Sequence, residues 1–447
     1  MLLISLAFFA LTAAVHKVHA GLPDHIYGVN LGSWLVLEPW MLPAEWKKMG
    51  GETCNDCASC IASEFALVEA YPEEADGIFD KHWETWFNQN DVDEIAKAGI
   101  NLVRIPLGYW LVEALVDRKN EFYPRGGLRH LRRGLRQLHE AGIVAILDHH
   151  ALPGVQTANQ MFTGRCTTDV QFYTPHNYHR ALVWTAVMTA LSHLDPAFEN
   201  AVSIQAVNEP IMDANKTPDY GEFQHNFVQT VRAVERLLTI VSSNFTAVME
   251  RASRQSVFNE AVNDALAEAA GILVDIAGEY ELDLFSNTDR RGREQLITNF
   301  MDVNWQFNNP ANPADAAIGP QAYDGHLYYS FGGVADANEE AYLADICNTK
   351  RIDNDVAKGN SPLWFGEWAL STQFKASDEF LFKWADAQKL AYSASKGWIF
   401  WNFKVEVSPE AGDLARQWSY LEGVRRGFLT QDPSDFHDPH VCDPYRS

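Results

Sequence analysis

Short β-rich runs alternate with segments of helical periodicity along this chain, and no other feature constrains its fold as tightly. The runs are "YGVNLGSWLVL" from Tyr27, "NLVRIPL" from Asn101, "VAILDHH" from Val144 and "VSIQAVNEP" from Val202. "NFTAVME" from Asn244, "GPQAYDGHLYY" from Gly319, "PLWFGEW" from Pro362 and "GWIFWNFK" from Gly397 bring the set to eight. Between them lie helical segments such as "NDVDEIAKAGI", "LRHLRRGLRQLHEAGI" and "FQHNFVQTVRAVERLLTIV". The first two close on an Ala-Gly pair, a common helix stop. Strands joined through helices run parallel, because a parallel pair needs a long crossover. Eight such units predict an α/β fold, the (β/α)8 or TIM barrel. Two stretches exceed ordinary connections and are expected as insertions. Residues 54–80 follow the first strand; residues 251–318, mixed helical and Asn/Pro-rich, follow the fifth.

The chain has 447 residues, 47% of them hydrophobic, enough for a large core. Its formal net charge is -24. A surface this acidic repels nucleic acid and anionic membranes, so neither is expected as a partner. A neutral ligand such as a sugar is compatible with it. The apolar run "LLISLAFFALTAAV", with "VHA" before Gly21, reads as a signal peptide over residues 1–20. No Lys or Arg precedes that run, which departs from the usual basic start. The run is shorter than the roughly 20 residues a membrane span needs. Residues 21–447 are then one domain.

Six cysteines, Cys54, Cys57, Cys60, Cys166, Cys347 and Cys442, are expected to form disulfides in a secreted chain, or to leave one thiol free, ahead of binding a metal. The pairing is not readable. "CNDCASC" lacks the second cluster a zinc site would need. The sequons at Asn215 and Asn244 fit secretion.

Polar residues recur where strands should end. A barrel strand is apolar through its middle, and its C-terminal end opens on the active face. Arg104 lies in "LVRIPL", His149 and His150 end "VAILDHH", and Asn208 and Glu209 end "VSIQAVNEP". His326 and Tyr328 lie in "GHLYY", Glu367 in "WFGEW" and Trp401 in "IFWNF". Singly, each has an ordinary explanation. Glu209 before Pro210 is a plausible turn acid, Arg104 an ion-pair partner, the histidine doublet a core feature. Two His and two Glu also raise a metal site, but no close His-x-x-x-His spacing accompanies them, so none is expected. Together they form a constellation. Two carboxylates aimed across one barrel mouth suit glycoside hydrolysis, one protonated and one ionised.

"GVNLGSWLVLEPWMLP", "NLVRIPLGYW", "VNEP", "HLYYSF", "FGEW" and "GWIFWNFK", in order from Tyr27 to Lys404, resemble glycoside hydrolase family 5. "NLGSWLVLEPW" is similar to the family's fungal exo-β-1,3-glucanases (glucan 1,3-β-glucosidases). "LPGV" and "FGEWAL" are similar to its β-1,6-glucanases. The resemblance implies a retaining double displacement without a cofactor. Carried over by matched motif, Glu209 would be the acid/base and Glu367 the nucleophile. Asn208 would bind the sugar 2-OH. Arg104 and Tyr328 would orient Glu367, with Arg104 lowering its pKa. The acid would need a raised pKa instead. His326 would sit near the acid. His150, rather than His149, matches the family histidine. Trp401 would floor the sugar site, and Glu38 would hold terminal sugar hydroxyls. Phe331 and Phe162 would clamp the next sugar.

Two departures bear on specificity. The loop "ALPGVQTANQMF" and the stretch 251–318 are both longer than the family pattern. The reading that results is a secreted or wall-associated β-glucanase, first an exo-acting β-1,3 enzyme, with a β-1,6-glucanase or another β-glucosidase as the alternative. A carbohydrate-binding barrel without turnover is the alternative from another class. A monomer is the default.

Overall fold

The computed structural model describes residues 21–238, 259–282, 293–306 and 318–446. Within them eight parallel strands close a barrel in chain order. They are β1 (Ile26–Asn30), β2 (Leu102–Gly108), β3 (Val144–Ala151), β4 (Ala201–Gln205), β5 (Ile297–Met301), β6 (Gln321–His326), β7 (Leu363–Glu367) and β8 (Gly397–Phe400). β8 pairs back onto β1, from Ile26↔Gly397 to Val29↔Phe400. The TIM barrel and the insertion after the first strand are as expected.

The fifth strand is not where the sequence placed it. The run from Asn244 lies outside the described residues, and β5 falls inside the stretch 251–318. The helix Glu260–Glu279 precedes β5, so this extra helical chain joins β4 to β5 rather than following the fifth strand. The reason is compositional. β5 reads "ITNFM", and it buries Thr298 and Asn299. It therefore shows no continuous apolar run, whereas "NFTAVME" has the β-branched and aromatic content of a strand.

Helix ends follow local signals. Asn88 and Asp91 cap the helix Gln89–Lys97 reciprocally. Thr174 caps the helix Pro175–Leu194, whose first position is proline. Gly99 (φ 69°) and Gly142 (φ 75°) take the left-handed turns after the two Ala-Gly stops.

The barrel interior is layered. Ile26, Leu102, Ile146, Val202, Ala322, Trp364 and Ile399 form an apolar plug drawn from seven strands, with Ile297 of β5 packed against it. Side chains two positions apart share a strand face. One step on from the plug, Leu102 is therefore followed by Arg104, Ile146 by Asp148, Ala322 by Asp324 and Ile399 by Trp401. A second step brings His150 and His326. The apolar plug thus supports a polar layer, and the polar layer supports the mouth.

All six cysteines pair, as Cys54–Cys60, Cys57–Cys166 and Cys347–Cys442. Among the described residues no helix is long and apolar enough to cross a membrane.

Candidate active site

Arg104 is the centre of the polar layer and is fully buried. Its Nη1 donates to Glu367 Oε1 at 2.9 Å and to Asn30 Oδ1 at 3.0 Å. Its Nη2 donates to Asn208 Oδ1 at 2.8 Å and lies 3.1 Å from Asp148 Oδ2. Its Nε donates to Gln205 Oε1 at 3.0 Å and lies 3.2 Å from Asp324 Oδ2. Burial alone would pull this guanidinium's pKa down; Asp148, Asp324 and Glu367 outweigh it and raise it. A buried charge persists only with such partners.

Glu367 ends β7. Its Oε1 is held by Arg104, and its Oε2 accepts from the Tyr328 hydroxyl at 2.9 Å. Burial pushes its carboxyl pKa up, while His326 and Arg104 pull it down. Arg104 thus acts in the expected direction, but burial is larger and the net shift is upward. The pull of Arg104 is as expected from sequence; burial at 5% exposure outweighs it together with that of His326.

Glu209 lies just beyond β4. Its backbone sits at φ 40°, a left-handed value rare outside glycine. Its carbonyl accepts from Thr157 Oγ1 at 2.5 Å, and that of Asn208 accepts from Gln156 Nε2 at 3.1 Å. This lock aims the side chain across the mouth. An oxygen of Glu209 comes within 4.8 Å of one of Glu367.

His326 bridges the two acids. Its Nδ1 lies 2.7 Å from Glu209 Oε1 and 3.5 Å from Glu367 Oε2, and its Nε2 lies 3.7 Å from Asp324 Oδ2. Burial opposes its charge, but Glu367 and Asp324 outweigh burial and raise its pKa to about 10. Glu209, His326 and Glu367 are also the one trio among the described residues that converges closely enough to share an ion. A protonated His326 donates to the acids instead of offering a lone pair.

The other expected residues surround this pair. His150 Nδ1 lies 2.6 Å from Asp148 Oδ2, and its ring stacks on Trp401 at 5.6 Å. His149 instead stacks on Trp184 at 3.8 Å with neither ring nitrogen partnered, a core residue whose pKa burial drives well down. Trp401 approaches Gly32 so closely that a β-carbon there would come within 3.0 Å of the indole. Glu38 Oε2 accepts from Trp40 Nε1 at 2.9 Å. Burial raises its pKa to about 7, against the pull of His150. Its loop is held by Ser33 and by Glu64, whose Oε1 accepts from Leu37 N at 2.6 Å. Phe162 meets the His150 ring edge-on at 5.5 Å, and Phe331 is 76% exposed beside Tyr328. Of the site residues expected from sequence, all but Arg104 and His149 line one cleft of about 1570 Å³. That is larger than the roughly 300–1,000 Å³ of a small-molecule pocket.

The family model described as Cellulase (glycosyl hydrolase family 5) matches residues 73–406, more than half of the chain. The chain belongs to glycosyl hydrolase family 5. Like the rest of family 5 it is an O-glycosyl hydrolase. It is 29% identical over 428 residues to a probable glucan endo-1,6-beta-glucosidase B of Neosartorya fischeri, covering 93% of this chain and 90% of that one. It is 24% identical over 431 residues to a glucan 1,3-beta-glucosidase of Blumeria graminis, covering 93% and 89%. Among solved structures, rutinosidase from Aspergillus niger superposes with a TM-score of 0.61 at 18% identity, over 90% of this chain and 97% of that one. That likeness concerns the fold.

Sequence reasoning missed several members of this family 5 site. Asp148 and Asp324 hold Arg104 and the two histidines; Gln205 and Asn30 complete the arginine's partners. A signal was present for the acids. "Asp-x-His" occurs at Asp148–His150 and again at Asp324–His326, and period two puts each pair on one strand face. Trp305 and Trp418 also line the cleft, from segments with no readable strand pattern.

Proposed function

We propose that this family 5 hydrolase is a secreted, monomeric, retaining β-glucanase that cuts β-1,6-glucan within the chain. The observation that carries the chemistry is the carboxylate pair. One oxygen of each acid lies within 4.8 Å of the other, with His326 between them, and this closeness favours the about 5–5.5 Å carboxyl spacing of retaining enzymes over the roughly 6.5–9.5 Å of inverting ones. In this reading Glu209 protonates the leaving glycosidic oxygen while Glu367 attacks the anomeric carbon. A covalent glycosyl-enzyme forms and the leaving sugar departs. Glu209 then takes a proton from water, and the water oxygen displaces Glu367. Arg104 and Tyr328 aim Glu367 by occupying one oxygen each. Asn208, fixed by Arg104, presents its amide to the 2-OH. Trp401, backed by His150, offers an indole face to the sugar ring.

The linkage reading rests on the relatives. Endo-1,6 relatives match at 26–29% identity and 1,3-glucosidases at 24–25%. The exo-acting β-1,3 reading, first from sequence, becomes the second. It is favoured by Glu38, held by Trp40 in the cleft, where it could meet the hydroxyls of a terminal sugar. Asn215 is exposed, as a glycan acceptor should be; Asn244 and the signal peptide over residues 1–20 lie outside the described residues.

Product analysis tests the choice. Oligosaccharides released from pustulan, a β-1,6-glucan, support the first reading. Glucose alone from laminarin, a β-1,3-glucan, supports the second. No product from either polymer overturns both.

A further inference from the structure

His82 is a buried histidine that takes no part in the acid pair, yet both its ring nitrogens meet oxygen. It sits on the helix Ala75–Trp86, between β1 and β2. Its Nδ1 lies 2.7 Å from Glu45 Oε1, and its Nε2 lies 2.8 Å from the carbonyl oxygen of Ser33. A carbonyl can only accept, so Nε2 donates there. Burial would raise the Glu45 carboxyl pKa; the hydrogen bond and charge of His82, with Lys404 and Lys48, outweigh burial and lower it. Glu45 is therefore an ionised acceptor, and the ring serves both oxygens when it carries two protons.

Ser33 is the receiving end. It is fully buried and sits at φ 54°. A residue with a β-carbon keeps that left-handed conformation only where its neighbours hold it. The Ser33 hydroxyl donates to Glu38 O at 3.1 Å and accepts from Glu38 N at 3.0 Å. One serine thus fixes both backbone polar groups of Glu38, whose side chain lines the cleft beside Trp40. The adjacent Gly32 has its own support. Its N donates to Asn402 Oδ1 at 2.9 Å, and its O accepts from Asn402 Nδ2 at 3.1 Å. The indole of Trp401, packed on Gly32, is therefore held without His82. The path from His82 leads to Glu38 and not to the floor.

We propose that His82 is a positioning residue for substrate binding, acting through Ser33 to hold Glu38 against the sugar hydroxyls. This rests on the β-glucanase reading above.

The two nitrogens can be separated by substitution. Glutamine places an amide N–H where Nε2 stands and keeps the bond to Ser33. Asparagine places one where Nδ1 stands and loses it. On pustulan or laminarin, whichever the wild type cleaves, H82N should raise KM about tenfold with kcat near wild type, the pattern of lost uniform binding. H82Q should stay within about threefold of the wild-type KM. An unchanged KM in H82N, or an equal rise in H82Q, overturns the proposal. A double-mutant cycle separates positioning from general loosening. In a Glu38→Ala background, H82N should change KM by less than about twofold, because the group it acts through is gone. A further tenfold rise there overturns the route through Glu38. If H82N loses the wild-type circular dichroism spectrum, S33G decides, since glycine accepts φ 54° without the hydroxyl. A KM rise of about threefold in S33G supports the route, and none overturns it. A wild type that cleaves neither polymer sinks the β-glucanase reading itself, and this proposal with it.

Discussion

The floor and the rim of the barrel mouth are built by opposite means. On the floor, Arg104, Asp148, Asp324, Glu367 and His326 are buried, charged and mutually partnered, and each comes from a strand or the residue beside one. At the rim, Phe331, Met212, Asn55 and Gln160 are exposed and come from loops and an insertion. The floor shows how a barrel fixes a reaction, because burial makes every unpaired group costly and so leaves few alternative arrangements. The rim shows how one reaction can meet different polymers, because loops change without disturbing the ladder.

The largest effects should come from the floor. Glu367→Ala should lower kcat on the order of 10⁴-fold or more. Glu209→Ala should cost about 10²–10⁴-fold, with less loss on aryl glucosides whose leaving group needs no proton. Both proteins should keep the wild-type circular dichroism spectrum. Steady-state rates near wild type in either variant would break the division between floor and rim.

Next comes Arg104→Met. It leaves Asp148, Asp324 and Glu367 without their common cation, and denaturant unfolding should show a loss of about 3–5 kcal/mol. A change near zero would mean the floor is not organised by that arginine.

A buried acid outside both, Glu64, which holds the Glu38 loop, should give a pH response. Burial raises the Glu64 carboxyl from the ordinary 4.5 to about 8, against the pull of Leu37 N. The native state then holds a proton that the unfolded state has already lost. Stability from this group is full below pH 4.5 and falls as pH rises towards about 8. Glu64→Gln keeps an acceptor for Leu37 N and should flatten the decline of Tm over that range. A Tm profile identical to wild type would remove Glu64 from the account.

The smallest effect belongs to the rim. Phe331→Ala, at a 76% exposed side chain, should shift stability by no more than about 0.5 kcal/mol. It should raise KM for polymer while leaving kcat alone. A fall in kcat of the size seen at Glu209 would erase the distinction drawn here.

The same division decides what could be read from the sequence. The floor was legible because period two ties function to the apolar pattern: Leu102 predicts the face of Arg104, and Ile399 that of Trp401. Glu209 and Glu367 stood out as acids at the ends of apolar runs. Asp148 and Asp324 were readable in principle, through the repeated Asp-x-His, but both lie inside their strands and not at the strand ends that mark the active face. β5 was not readable, because Thr298 and Asn299 replace the apolar residues that mark a strand. The rim was the least legible. Which cysteine meets Cys57, and that Trp418 and Trp305 reach the cleft, depend on long-range packing that no local pattern records.

The central claim is that the Glu209–Glu367 pair hydrolyses a β-glucan with retention. Proton NMR of the first reducing sugars released from pustulan tests it directly, read before mutarotation mixes the anomers. Double displacement gives the β-anomer first; early appearance of the α-anomer would contradict the claim.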